Sequence, residues 1–272
     1  MNSTNKAQLP RRHAVITLTT DFGQQGPFVA VMHGAILGRC PDARIVDMTH
    51  EIFVHWPAEA GFWLARAYGY FPSGSVHVAV VDPGVGTSRS ILAADFDSHV
   101  FLAPDNGLLP LVFGDSGSVM AYRLSDDWLR RQRWPVPSRT FHGRDIFAPL
   151  AADIAAGKTR PCDIGPPATD LVPSLLEPPT VGAGSINGTV VTIDHFGNLI
   201  TNIDASLLTN LDTPRVTAAG HRLSLLETYG DARPGDFLAL INSFGVLEIA
   251  CAQGNAANRL GLGRGAPVTV QG

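Results

Sequence analysis

The chain has 272 residues, enough to bury a large core and to form two unequal domains. Its 20 basic and 24 acidic residues sum to −4 and no Lys/Arg run interrupts it, which argues against nucleic acid or another polyanion as partner. The apolar stretches are short and broken by Gly, Pro or charge, and Met1 to Arg12 is polar, so neither a membrane span nor a signal peptide is predicted and the expected location is cytoplasmic.

In chain order, residues 1–13 read as a disordered tail. An N-terminal domain over 14–160 then alternates β-rich runs (14–19, 45–46, 76–81) with helix-like runs (28–37, 58–70), the pattern of an α/β fold on a mostly parallel sheet. Such sheets gather ligand groups beyond the carboxyl ends of their strands, where the polar turns at 20–23 and 82–87 fall. A helix is expected over 144–156. Six prolines follow within 161–179, predicting a linker at 161–181, because proline continues neither a helix nor a central strand. Residues 182–272 change to short strands (188–193, 199–203, 237–241, 246–250) with one helical candidate at 255–260, predicting a smaller antiparallel, barrel-like or sandwich domain. Cys40, Cys162 and Cys251 are far apart and lack metal-ligand spacing, so they are expected as free thiols, with no zinc site or disulfide framework.

Asp82-Pro83-Gly84-Val85-Gly86-Thr87-Ser88-Arg89 places a carboxylate at a strand end, then two glycines, then a guanidinium. It is neither a Walker A loop nor a dinucleotide fingerprint, since the Gly-Lys-Ser/Thr and Gly-x-Gly-x-x-Gly patterns are missing. On spacing alone Asp82 reads as a turn cap. His142, in Phe141-His142-Gly143-Arg144-Asp145, lies beside a helix start, whose positive end disfavours imidazolium; a neutral ring there could hold a water or accept its proton, or could simply pack. Pro104-Asp105-Asn106-Gly107 is a strong turn sequence. Asp194-His195-Phe196-Gly197-Asn198 offers an aromatic face beside an amide, which suits adenine as well as it suits a β-turn; stacking on such a face is worth about 1–3 kcal/mol per base. Asn242-Ser243-Phe244-Gly245 and Gln253-Gly254-Asn255-Ala256-Ala257 are similarly open between turn or helix start and ligand contact.

Taken in order, Thr20-Asp21-Phe22-Gly23, Asp47-Met48-Thr49-His50, the loop from Val81 to Thr87, Ala103 to Leu109, Thr140 to Asp145, Phe196-Gly197-Asn198, Asn242-Ser243 and Gln253 to Ala257 resemble the motif series of the S-adenosylmethionine hydroxide adenosyltransferases, relatives of the fluorinases and chlorinases. The resemblance runs from about Val15 to the C-terminus. It implies an N-terminal α/β domain, a C-terminal β-barrel-like domain, and a homotrimer with sites between the N-domain of one subunit and the C-domain of the next. It also implies a water-activating set on Asp82, Arg89 and His142, with Asp21 on the ribose hydroxyls. Phe196, Asn198, Tyr229 and Ala257 would surround adenine, Asp194 and Ser243 would hold the methionine end, and Asn106 and Asn255 would complete the substrate-binding set.

The implied reaction is hydrolysis of S-adenosylmethionine to adenosine and methionine by water attacking ribose C5′. Its leaving group is already a sulfonium and departs as a neutral thioether, so neither a general acid nor a metal is required, and the nucleotide is substrate rather than cofactor. The difficulty is the nucleophile: water, with a pKa near 15.7, must be aligned with the C5′–S bond and relieved of a proton. The expected division has His142 holding or deprotonating the water, Asp82 orienting it or accepting charge, and Arg89 keeping Asp82 ionised. Two rivals are a halide-dependent, chlorinase-like transferase and a non-catalytic adenosyl-ligand binding protein. In the fluorinase pattern tyrosines stand at the positions of Asp82 and His142 and a loop is inserted after Arg89. A carboxylate beside the nucleophile position repels halide, so hydrolysis is favoured.

Overall fold

The computed structural model describes residues 15–114, 116–209 and 211–272, so the tail expected at 1–13 lies outside the described residues. The chain divides into two compact units, Met1–Leu175 and Leu176–Gly272. No helix among the described residues is long and apolar enough to cross a membrane.

The first unit runs β1 (Val15–Thr20), α1 (Phe28–Arg39), β2 (Arg44–Thr49), α2 (Pro57–Ala67), β3 (Val76–Val80), β4 (Ile91–Phe96), β5 (His99–Pro104), α3 (Leu109–Phe113), β6 (Met120–Arg123), α4 (Asp126–Arg131) and α5 (Ala148–Ala155). Its six strands form one sheet in the order β2-β1-β3-β5-β4-β6. The β2, β1, β3 and β5 ladder is parallel, whereas β4 runs antiparallel to both β5 and β6. The sheet is therefore mixed. β4 and β5 form a hairpin through Asp97 and Ser98, both at positive φ (48° and 63°), the conformation that matches the twist of paired strands.

Central strand β3 is buried along its whole length. Val76, Val78 and Val80 face a core shared with α1 and α5, while Ala79 and Val81 face a second core that includes Ala60 and Leu64 of α2 and Leu109 of α3. A strand covered on both faces reads as a continuous apolar run, which is why 76–81 is legible in the sequence. His77 is the polar exception. Its Nδ1 lies 2.8 Å from Thr17 Oγ1 and its Nε2 3.1 Å from His99 Nδ1, with Phe101 stacked at 5.1 Å. Burial pushes the His77 pKa down to about 3, and His99 beside it acts in the same direction.

The Pro-rich stretch expected as a linker is divided between the units. Ile164 and Ala168 are buried in the first unit, where the Pro166 carbonyl accepts from Arg123 N–H and Ala168 N–H donates to Ala121. The second unit contains β7 (Thr180–Gly182), β8 (Ser185–Ile193), β9 (Leu199–Asp204), α6 (Ala205–Leu208), β10 (Arg215–Ala218), β11 (His221–Leu223), β12 (Phe237–Ile241), β13 (Val246–Cys251), α7 (Ala256–Leu260) and β14 (Pro267–Gln271). Its antiparallel sheet follows β11-β10-β14-β8-β9-β13-β12, with β7 added to β8. The long strand β8 pairs with β14 along Ser185–Thr189 and with β9 from Val190 onward, so it turns the sheet into a barrel-like curl around its larger apolar core.

Stability should respond to acid through His77. Its folded pKa lies below the unfolded value near 6.5, so the unfolded chain takes up a proton that the native chain refuses as pH falls between those values. The stabilisation is present above pH 6.5 and is lost below it, by up to about 1.4 kcal/mol per pH unit for one histidine. Urea midpoints between pH 7 and 4.5 should fall less steeply in His77→Phe than in the wild type; parallel slopes would refute the assignment.

Candidate active site

Three chain segments meet at one point of the first unit. β3 delivers Asp82 just past its carboxyl end, the loop to β4 returns Arg89, and His142 immediately precedes a π-helical turn, Gly143–Phe147, that runs into α5. The returning loop is shaped by its own bonds: Val85 N–H donates to the Asp82 carbonyl, and Thr87 donates to the Gly84 carbonyl through both its N–H and its hydroxyl. Gly86 adopts φ +76°, and a Cβ there would lie 2.0 Å from the Arg139 carbonyl oxygen. Only glycine lets this loop close onto the segment that carries His142.

The Asp82 and Arg89 side chains are 5% and 11% exposed. Arg89 Nε donates to Asp82 Oδ1 at 3.0 Å and Oδ2 at 2.9 Å, and Nη2 donates to Oδ2 at 2.5 Å. The same Nη2 lies 2.7 Å from His142 Nδ1. A guanidinium can only donate, so Nδ1 is an acceptor and the neutral imidazole carries its proton on Nε2. Burial lowers the His142 pKa, and the Arg89 charge lowers it further, against opposing pulls from Asp82, Asp145 and the Ser138 backbone. The ring's neutrality, expected from a helix terminus, thus arises from burial and the arginine. Asp82 and His142 line a cavity of about 200 Å³ together with Phe22, Phe28 and Phe141. Those rings pack edge to face, with Phe141 at 5.7 Å from Phe22 and 5.5 Å from Phe28.

Around this cluster, Asp21 Oδ2 accepts from His55 N–H at 2.9 Å. Asn106 Nδ2 donates to the Val81 carbonyl at 2.8 Å and so braces the strand end that carries Asp82, while its Oδ1 is buried without a hydrogen-bond partner. The aromatic wall went unrecognised at the sequence level, although Phe22 and Phe141 sit inside the very motifs that carry Asp21 and His142.

In the second unit, Asp194, Phe196, Asn198 and Tyr229 line one cavity of about 550 Å³ with Cys251 and Ala252. Asp194 Oδ1 accepts from the N–H groups of Phe196 and Asn198, and Oδ2 from Asn198 Nδ2 at 2.9 Å. The turn leaves Phe196 72% exposed while burying Asn198. Asn255 is the N-cap of α7, its Oδ1 accepting from Asn258 N–H at 2.7 Å. Ala257 is buried and its N–H donates to the Gly197 carbonyl. At Gly197, φ is +86° and a Cβ would come within 2.1 Å of the Asn255 amide, so turn and helix start are packed as one piece. Ser243 is exposed in the turn between β12 and β13. A feature missed in the sequence is Glu248, buried at 2% exposure in β13; the signal was an acid inside the otherwise apolar run 246–251.

Gly86→Ala should detach the loop from Arg139. The expected result is a destabilised protein in which the His142 imidazole, followed by NMR titration, moves back toward the ordinary histidine range; an unchanged titration would show that the close approach is dispensable.

Comparison with known proteins bears on both clusters. Residues 16–165 match the SAM hydroxide adenosyltransferase N-terminal domain and residues 188–269 match the corresponding C-terminal domain. The chain is 37% identical over 263 residues to an (R)-S-adenosyl-L-methionine hydrolase of Salinispora arenicola, covering 94% of this chain and 97% of that protein. The protein of the same name in Thermus thermophilus is 35% identical, with 92% and 97% covered. A fluorinase of an Actinoplanes species is 29% identical, with 94% and 97% covered. Among solved structures, an uncharacterised conserved protein of Thermotoga maritima superposes with a TM-score of 0.86 at 32% identity, covering 94% of this chain and all of the other.

Proposed function

The chain belongs to the SAM hydroxide adenosyltransferase family, and on that premise we propose that it hydrolyses S-adenosyl-L-methionine to adenosine and L-methionine. The observation that carries this reading is the Asp82–Arg89–His142 chain of hydrogen bonds at the wall of a small aromatic cavity. A water in that cavity would attack C5′; the new C–O bond forms as the C5′–S bond breaks and its electron pair neutralises the sulfonium. The attacking oxygen becomes strongly acidic as it bonds to carbon, and its proton passes to Asp82. Arg89 holds that carboxylate aimed. With Nδ1 committed to Arg89, His142 acts as a neutral anchor that fixes the guanidinium and, through Nε2–H, as a donor rather than as the base. Positioning of this kind, worth effective molarities of about 10⁵ M or more in favourable cases, suffices when the leaving group needs no help.

Asp21 and Asn106 are proposed on the ribose side. Phe196, Asn198 and Tyr229 are proposed around adenine, with Asn255 and Ala257 behind that turn and Asp194 and Ser243 toward the methionine end. Asp82 at the nucleophile position favours hydrolysis over halide transfer, because a carboxylate there repels an anionic nucleophile. We also propose a cytoplasmic homotrimer, following the family resemblance; light scattering on the purified protein checks the assembly.

Incubation with S-adenosylmethionine should release adenosine and methionine in equal amounts, read by chromatography. Ligand retained without product, or 5′-chloro-5′-deoxyadenosine formed in high chloride, would defeat the proposal. Asp82→Ala should lower kcat by about 10²-fold or more, the usual scale for a positioned proton acceptor, with a much smaller change in KM. On the acid side, kcat/KM should stay level through pH 6.5 and decline only below it, since protonating Nδ1 would set two donors against each other. A decline centred above 6.5 would contradict the neutral-anchor role.

A further inference from the structure

The second unit buries an acid that the proposed reaction does not use. Glu248 sits mid-strand in β13, opposite Leu240 of β12 and Ile200 of β9, at 2% exposure. Its two oxygens are divided between two donors from different loops. Oε1 accepts from the Tyr229 hydroxyl at 2.6 Å, and Oε2 accepts from Asn242 Nδ2 at 3.2 Å. Asn242 in turn uses its Oδ1 to accept from Phe244 and Val246 N–H, which shapes the turn holding Ser243. Tyr229 stands on a 3₁₀ turn, Tyr229–Asp231, capped by Thr228, and the residue is 48% exposed at the cavity shared with Phe196 and Asn198.

An ionised carboxylate buried in an apolar strand is costly unless donors satisfy it, and here one donor, Tyr229, lines the cavity and the other, Asn242, shapes the β12–β13 turn. Burial pushes the Glu248 carboxyl up, and the bonds from Tyr229 and Asn242 pull it back down. The Tyr229 hydroxyl is pushed up by burial and by its bond to Glu248, so it remains a donor. An exposed tyrosine without such an anchor must give up rotamer freedom when a ligand stacks on it; an anchored one has already done so.

We infer that Glu248 is a positioning residue for the nucleoside pocket: one buried carboxylate pins Tyr229 at the cavity wall and braces the neighbouring turn bearing Ser243, so that the Tyr229 wall is set before the ligand arrives. The inference rests on the adenosyl-binding reading and adds to it a residue that touches no ligand. A leucine at this position removes both acceptors, whereas a glutamine could still accept from Asn242 and donate its amide N–H to the Tyr229 oxygen, which accepts as well as donates.

The test is adenosine binding by calorimetry, with KM and kcat for S-adenosylmethionine and the melting temperature measured in parallel, on wild type, Glu248→Leu, Tyr229→Phe and the double variant. Tyr229→Phe removes only a hydroxyl from a half-exposed residue and keeps the test readable if the Glu248 change impairs folding. Each single change should weaken adenosine binding by about tenfold, the scale of freeing one rotamer-rich side chain, with the loss carried by KM rather than kcat. The double variant should be no weaker than the weaker single one, because both remove the same bond. A lowered melting temperature with unchanged adenosine affinity, or strictly additive losses, would overturn the inference. Wild-type protein that binds no adenosine would overturn the pocket assignment itself along with it, which separates the two failures.

Discussion

The site hangs on a single guanidinium. Arg89 donates to the Asp82 carboxylate along one edge and to His142 Nδ1 from the same terminal nitrogen, so three side chains share one rigid plane of donors. A buried ion pair is expensive to desolvate, and this one is tolerable because its geometry is bidentate and because a neutral imidazole accepts the second N–H of Nη2. Around it the fold supplies close contacts: Gly86 against the Arg139 carbonyl, Asn106 on the Val81 carbonyl, and a trio of phenylalanines enclosing the cavity. Each of these positions the clamp rather than taking part in it.

In the second unit, the residues that carry a turn signal are also those proposed to meet the ligand. Asp194 caps its own turn with both oxygens, and that turn is what presents Phe196 outward and holds Asn198 in the cavity wall. Asn255 caps α7 and simultaneously fills the space left by Gly197. The turn reading and the functional reading of such motifs are therefore two levels of one arrangement, in which local hydrogen bonding builds the platform whose exposed face is the one proposed for the ligand. Glu248 extends the same logic inward, since its two acceptors discipline two loops at once.

Much of the secondary structure was legible. The apolar run of β3, the helix-like runs of α1 and α2, and the strands β12 and β13 stand close to where residue patterning puts them, because their apolar residues pack into the cores of their units. The β4–β5 hairpin was not, and with it went the antiparallel part of the first sheet: Asp97-Ser98 adopts the hairpin conformation without the Asn-Gly or Asp-Gly pair that announces it. The helix expected from Arg144 begins instead as a π-helical turn, a hydrogen-bonding detail that residue propensities do not encode.

By itself the sequence determined the α/β class followed by a small antiparallel unit and, through its ordered motifs, the resemblance to one family, which in turn singles out Asp82, Arg89 and His142 as candidates. Those are properties of local patterning and of residue chemistry, which survive being read one segment at a time. Tertiary structure alone decided that His142 meets Arg89 across 53 positions, which of its nitrogens is thereby committed, that Asn106 braces a strand end, and that an acid in β13 reaches back 19 positions to a tyrosine. Such contacts depend on where the chain returns in space, and a donor's choice of acceptor is settled only when burial removes water as the alternative partner.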